Sequence, residues 1–267
     1  MILNFNFIIL IYNKMALNVN NIGRKVAVIN DSKKYKNVVF SVSEDDEEDG
    51  LTKPFQDLVI KEGTFQFIPD TDRDRDTIFI CGAAGSGKSY WAAQYIKQYS
   101  KYLKDYPIYL ISEGTHDPAF EKLDIKRIKV DDEFITDPIP FTDFEKCLVI
   151  FDDIDAFTGK LKKAVYELLE KLLKNARKNK VSVIMTSHGC TGLELKPILN
   201  EADTIVFFPR NYNRSLKYLL ENYVGLTSEY IKKLFKHKSR WCAFVKSYPN
   251  IILMERFITT LNNLQDF

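Results

Sequence analysis

Long hydrophobic runs, a cysteine framework and an excess of charge of either sign are all missing from this 267-residue chain, and each absence closes off a class of protein. The apolar run within MILNFNFIILIYNK, residues 1–14, is too short to cross a bilayer and lacks the basic start and small-residue cleavage site of a signal peptide. No membrane span is therefore expected. Met15 follows directly and MALNVNN reads as a soluble start, so residues 1–22 are expected to be a disordered or non-native extension, with a membrane-surface anchor as the other reading. The four cysteines, Cys81, Cys147, Cys190 and Cys242, lie far apart and show neither zinc spacing nor a disulfide framework. Reduced, buried thiols of an intracellular protein are expected instead. With 38 basic and 36 acidic residues the formal charge is +2, so any affinity for nucleic acid has to come from local patches.

What is present is an ordinary globular composition, 45% hydrophobic and 28% charged, in a chain long enough for one α/β domain with a small appendage. Its organising stretch is residues 77–89, TIFICGAAGSGKS. An apolar strand, a glycine-rich turn and Gly87-Lys88-Ser89 match the Walker A pattern G-x-x-x-x-G-K-[ST], with helical composition from Tyr90 onward. Gly82, Gly85 and Gly87 can take backbone angles closed to residues with a Cβ, so the N–H groups of Gly82, Ala83, Ala84, Gly85, Ser86, Gly87, Lys88, Ser89 and Tyr90 can curl round a phosphate at the positive end of a helix. In this pattern Lys88 bridges the β- and γ-phosphates of ATP, and the Ser89 hydroxyl ligates Mg²⁺.

Before this core, Lys25 to Ile29 and Val38 to Val42 read as a hairpin, Glu44 to Asp49 as a solvated acidic linker, and Phe55 to Pro69 as one or two further strands. This makes residues 23–69 a small β-rich region and 70–267 the nucleotide-binding domain. Strands are expected at 77–81, 108–112, 126–130, 147–151, 181–186 and 204–208, with a helix of about four turns from Ser89, a helix-like 142–146, and a lysine-rich helix over 160–179. The last carries Leu161, Val165, Leu168, Leu169, Leu172, Leu173 and Ala176 on one face. Helices at 215–223 and 228–236 and strands at 241–247 and 250–255, broken at Pro249-Asn250, complete the chain. Strands this apolar, alternating with helices, predict a mainly parallel sheet covered on both faces.

A phosphate loop needs an acid at a neighbouring strand end, and LVIFDDID supplies it about sixty residues after the lysine. Asp152 is the expected Mg²⁺-side carboxylate and Asp153 the group that orients or deprotonates the attacking water. Asp155 reads as a helix cap. In the next strand, VSVIMTSH, Thr186, Ser187 and His188 are all candidates for a γ-phosphate sensor, with Ser187 preferred, and a simple capping role is the alternative.

Together the phosphate loop, LVIFDD, the helix ending LLKNARKNK, VSVIMTSH, DTIVFF followed by Pro-Arg, and the tail YVGLTSEYIKKLFKHKSRWCAFVKSYPNIILMER resemble the FtsK/HerA superfamily over residues 75–257. The resemblance is to the genome-packaging ATPases of large DNA viruses and virophages. It implies a RecA-like fold, a homo-oligomeric ring and ATP-driven movement of double-stranded DNA into a preformed capsid. It also implies a docking partner at the capsid or portal vertex, at the viral assembly site in the host cytoplasm or on the virion. An arginine acting in trans shortly before the sensor strand is implied too, and Arg177 falls at that place, with Arg210 as the other candidate. The superfamily commonly ends its sensor strand in glutamine where this chain has Ser187-His188.

Two basic clusters, Lys160, Lys162 and Lys163, and Lys232, Lys233, Lys236, Lys238 and Arg240, are candidate phosphate contacts; no base-reading motif accompanies them. Other users of a phosphate loop fit less well. A nucleotide or small-molecule kinase, the alternative function, needs an arginine-rich lid that is missing. No N-K-x-D reads guanine, nothing like L-S-G-G-Q precedes LVIFDD, and about sixty residues after the last core strand are too few for a nuclease domain.

Overall fold

The computed structural model describes residues 16–19, 21–35, 38–43, 57–114, 116–247 and 250–260. The expectations for residues 1–15, for the acidic block 44–49 and for Pro249 fall outside the described residues, whereas Ala16–Asn18, within the expected extension 1–22, is a strand paired with residues 41–43 because Leu17 is buried in the core. In chain order the strands are β1 (Ala16–Asn18), β2 (Arg24–Asn30), β3 (Val39–Ser43), β4 (Asp57–Val59), β5 (Thr64–Phe67), β6 (Thr77–Cys81), β7 (Ile108–Ser112), β8 (Lys126–Arg127), β9 (Cys147–Asp152), β10 (Val181–Ser187), β11 (Thr204–Phe207), β12 (Cys242–Val245), β13 (Ile251–Met254) and β14 (Phe257–Thr260). The helices are α1 (Lys88–Tyr102), α2 (Asp132–Thr136), α3 (Gly159–Asn175), α4 (Lys196–Glu201), α5 (Arg214–Asn222) and α6 (Ser228–Phe235).

Among the described residues these strands form two sheets, one of ten strands in the order β4-β14-β13-β12-β11-β6-β10-β9-β7-β8 and one of four in the order β1-β3-β2-β5. From β11 to β8 the large sheet is parallel, and the β12–β14 meander with β4 extends it antiparallel. This is the α/β P-loop architecture with a mainly parallel central sheet. Every position of β6, β9 and β10 is buried, which explains the apolar runs 78–81, 147–151 and 183–185 within them: helices cover both faces, so neither needs polar residues. Side chains alternate across the sheet. Phe79, Val149, Val183 and Met185 join the core under α3, while Ile78, Ile80, Leu148, Ile150 and Ile184 join the one under α1.

Helix α3 buries Val165, Leu168, Leu169, Leu172 and Leu173, the expected stripe. It stops at Asn175, four residues short of the expected end, because Arg75 reaches its last turn and donates to the carbonyls of Leu172 (2.9 Å) and Leu173 (2.6 Å). Arg177 therefore lies in the turn after the helix, not on its last turn. The stretch expected to be helix-like at 142–146 is a single 3₁₀ turn, Phe141–Asp143, set off by Pro140. The unforeseen α2 is capped by Asp131, whose carboxylate accepts from the amides of Glu133 and Phe134. The expected strand at 126–130 pairs only over Lys126–Arg127. The N-terminal hairpin forms as β2 and β3, with a bulge between Lys25 and Ala27. Leu17, Val26, Phe40, Phe65 and Phe67 pack into the same core as Trp91 and Tyr95 of α1, and β4 pairs with β14 at the edge of the large sheet.

Candidate active site

The phosphate loop leaves β6 at Cys81, and the Gly82 amide donates to the Ser187 carbonyl (3.1 Å), fixing the start of the loop to the end of β10. Gly85 (φ 71°) and Gly87 (φ 105°) take left-handed conformations that a side chain would strain. A Cβ at Gly82 would sit 2.7 Å from Ser86 Oγ and 2.8 Å from the Phe208 ring, so only glycine allows the loop to fold back this tightly. Ala83, Ala84 and Tyr90 are exposed at the mouth, and Ser89 is half-buried. Ser86 Oγ is buried without a hydrogen-bond partner. Lys88, only 5% exposed, opens α1 with its ammonium 3.4 Å from Asp153 Oδ1. A curled loop with an orphaned hydroxyl and a buried cation fits a bound phosphate chain.

The acids sit where β9 ends. Asp152 is buried, which pushes its carboxyl up to about 6; the bond from Thr186 opposes that shift and the charge of Asp153 adds to it. Asp153 turns out of the strand at φ 46°. Thr186 Oγ1 lies 2.8 Å from Asp152 Oδ1 and 3.1 Å from Asp153 Oδ1, and accepts from the Asp153 amide at 2.8 Å. Its single proton can serve one carboxylate at a time, so Thr186 ties the two acids together. His188 approaches Asp153 Oδ2 through Nε2 (3.5 Å) and Asp155 Oδ2 through Nδ1 (3.7 Å), and its amide donates to Asp155. Ligand atoms of Asp153, Asp155 and His188 lie within 4.8 Å of one another, a set that could take a divalent cation beside Ser89 and Asp152. Ser187 is one residue out of phase on β10, and its Oγ accepts from the Gly189 amide (3.1 Å) instead of facing the acids.

The chain matches no family model. The Sputnik virophage protein named uncharacterized protein V3 is 36% identical over 209 residues, which cover 77% of this chain and 84% of that protein. The chain belongs to the same family as that virophage protein. Among solved structures, the genome packaging NTPase B204 from Sulfolobus turreted icosahedral virus 2, in complex with ATP-gammaS, is similar at a TM-score of 0.47 and 17% identity, covering 68% of this chain and 98% of B204. The cytoplasmic domain of the type VII secretion ATPase EccC from Thermomonospora curvata is similar at a TM-score of 0.47 and 10% identity, covering 76% of this chain and 28% of EccC.

In this V3-family chain the remaining candidates divide between the two ends of the sheet. Arg177 is exposed and pairs with Asp74 (3.2 Å) just before β10 begins. The 7 residues of β10 place it about 20 Å of strand from its own phosphate loop at 3.3 Å per residue. Arg210, by contrast, lines a groove beside its own loop. Both basic clusters sit at the loop end, since α3 starts after β9 ends and Lys238 to Arg240 lead into β12, which begins opposite Phe207. Within them Lys162 is paired with Glu194 (2.8 Å) and Lys163 with Glu167 (3.9 Å), while Lys160, Lys232, Lys236 and Lys238 are exposed. Sequence reasoning missed Phe208 and Trp241 as neighbours of the loop. Only the antiparallel register of β11 on β12, Phe207 opposite Cys242, brings them there. Among the described residues no helix is long and apolar enough to cross a membrane.

Proposed function

We propose that this chain is an ATP-driven translocase that moves double-stranded DNA of any sequence into a preformed viral capsid. It works as a homo-oligomeric ring docked on a capsid or portal-vertex protein, at the viral assembly site in the host cytoplasm or on the virion. Residues 70–267 are the motor, and residues 23–69 support its α1 face. The observation that carries the proposal is the meeting of a buried lysine, two adjacent carboxylates and a clasping threonine at the ends of three neighbouring parallel strands, with Lys88 Nζ 3.4 Å from Asp153. Such a site suits transfer of a phosphoryl group to water, because one acid stays free of the metal. Kinship with a virophage protein and basic clusters at the same end of the sheet support DNA as the load.

Each residue has a part. The amides of Gly82 to Tyr90 bind the phosphates, and Lys88 exchanges Asp153 for phosphate oxygens, releasing that carboxylate. Ser89 and Asp152 would hold Mg²⁺, which would supply charge neutralisation for the phosphoryl group being transferred. Asp153 then orients the attacking water and accepts its proton. Either Ser187 or Thr186 senses the γ-phosphate; the contact of Thr186 with both acids favours Thr186. Arg177, too far from its own loop, acts on a neighbouring subunit in a head-to-tail contact. ATP turnover measured with and without long double-stranded DNA, alongside nucleosides as acceptors, tests the proposal. Stimulation by DNA is expected, whereas phosphorylated nucleoside would make the protein a kinase.

A further inference from the structure

Beside the phosphate loop a groove of 450 Å³ opens between Ala84–Gly87 and the segments that follow β11 and precede β12. Its walls are Tyr90, Trp91, Phe208, Arg210, Arg240 and Trp241. The floor is fixed: Trp91 is buried and meets the Trp241 ring edge-on at 6.0 Å, and a Cβ at Gly87 would lie 3.6 Å from the Phe208 ring. The rim is open. Tyr90 is 62% exposed on the first turn of α1, and Arg210 is exposed with no ion-pair partner among the described residues. Arg240 is already occupied, its Nε 2.5 Å from Glu255 Oε1.

We propose that this groove seats the nucleobase and ribose of the bound nucleotide, and that it accepts purine triphosphates without distinguishing adenine from guanine. The inference rests on the phosphate site proposed above and adds its base subsite. Asp152, Asp153 and Thr186 occupy one side of the loop, so a triphosphate lying on it with its terminal phosphate toward the acids delivers its base to the other side, where the aromatic walls stand. Four aromatic rings and a free guanidinium stack on any base, because every base has a π-face, and a bicyclic ring covers more of them than a pyrimidine does. Telling the two edges apart takes an acceptor for adenine N6 or guanine N2, such as a carboxylate or carboxamide, or a donor held in the base plane at guanine O6. No Asp, Glu, Asn or Gln lines the groove. Arginine offers donors only, and a guanidinium stacked flat on the ring, as the free Arg210 at the rim would be, reads neither purine's edge.

Binding of ATP, GTP, CTP and inorganic tripolyphosphate to the full chain in Mg²⁺, measured by titration calorimetry, tests this. ATP and GTP should bind within about threefold of each other, CTP more weakly, and tripolyphosphate at least about tenfold more weakly than ATP. Trp241→Ala should weaken ATP and GTP about tenfold and leave tripolyphosphate unchanged. Tyr90→Ala, which keeps the backbone amide that faces the phosphates and removes only an exposed side chain, should weaken ATP and GTP by a smaller factor than Trp241→Ala and more than it weakens tripolyphosphate. The inference is overturned if ATP binds no tighter than tripolyphosphate, if the variants weaken tripolyphosphate as much as ATP, or if ATP is preferred over GTP more than about a hundredfold. If wild-type protein binds neither tripolyphosphate nor ATP, the phosphate site itself falls and the base subsite with it; bound tripolyphosphate without base dependence overturns only the subsite.

Discussion

The two ends of the parallel sheet handle charge in opposite ways. At the end where strands run out, Lys88, Asp152 and Asp153 meet one another beneath an open loop, with the N-terminus of α1 pointing at the same spot. At the end where strands begin, the run Asp70-Thr71-Asp72-Arg73-Asp74-Arg75-Asp76 is spent on the protein itself. Arg73 pairs with Asp203 (3.3 Å), Arg75 caps α3, the Tyr95 hydroxyl donates to the buried Asp76 (2.5 Å), and Asp74 holds Arg177. Parallel topology explains the sorting. Helix N-termini gather at strand C-termini and favour anions, while the carbonyls of helix C-termini gather at the other end and favour arginine. The first end is left incomplete for a ligand, and the second is complete except for Arg177, whose carboxylate partner Asp74 is itself at the surface.

Cutting into the first end should have the largest effect. Lys88→Ala removes the one buried cation of the loop, so nucleotide binding and turnover should both disappear; an unchanged ATPase rate would refute the site. At the second end, Arg177→Ala should leave ATP binding intact and cut turnover by about 10³-fold, the usual contribution of an arginine supplied in trans. Mixing that variant with Lys88→Ala should restore some turnover, since the lysine variant still offers its arginine to a neighbour with an intact loop. Failure of rescue in rings shown by sedimentation to be mixed would leave the second end purely structural. A smaller loss is expected for Asp153→Asn, about 10²-fold in hydrolysis. Because the change also removes the internal partner of Lys88, ATP affinity measured by the same titration should hold or rise. A fall in affinity would mean that Asp153, and not Asp152, carries the metal.

How legible each end was in the sequence follows from how local its determinants are. The phosphate loop depends on the left-handed angles of Gly85 and Gly87 and on the lysine that follows, all within a few residues. The core strands announce themselves because both faces are covered, and the same cover hides which residue faces where. Thr186 and Ser187 cannot be told apart on a strand with no polar face; only the side shared with Ile184 and α1 puts Thr186 on the acids. At the other end, the stop of α3 at Asn175 is set by Arg75, 97 residues away from Leu172, and no cap signal near the helix end encodes it. The pairing of Trp241 with the loop likewise depends on the register of β12, which periodicity does not fix.

The buried carboxylates of the second end give the comparison its smallest but sharpest test. Burial, reinforced by the neighbouring Asp203, pushes Asp76 up to about 7, whereas in the unfolded chain an aspartate titrates near about 3.9. Between those values the folded protein holds a proton that the unfolded chain has lost, so the contribution of Asp76 is fully present below the ordinary aspartate range and is lost as pH rises through about 7. The Asp70 amide and the Tyr95 hydroxyl both reach the same oxygen, Oδ2, so the neutral amide of Asp76→Asn can keep both bonds with its own oxygen. Urea denaturation of wild type and variant should therefore agree within about 1 kcal/mol near pH 4 and diverge as pH rises, the variant becoming the more stable by a few kcal/mol at pH 8. A difference that stays constant with pH would mean that Asp76 is charged throughout and neutralised by the arginines around it. The second end would then be an ion network of the same kind as the first, and the contrast drawn between the two ends would fail.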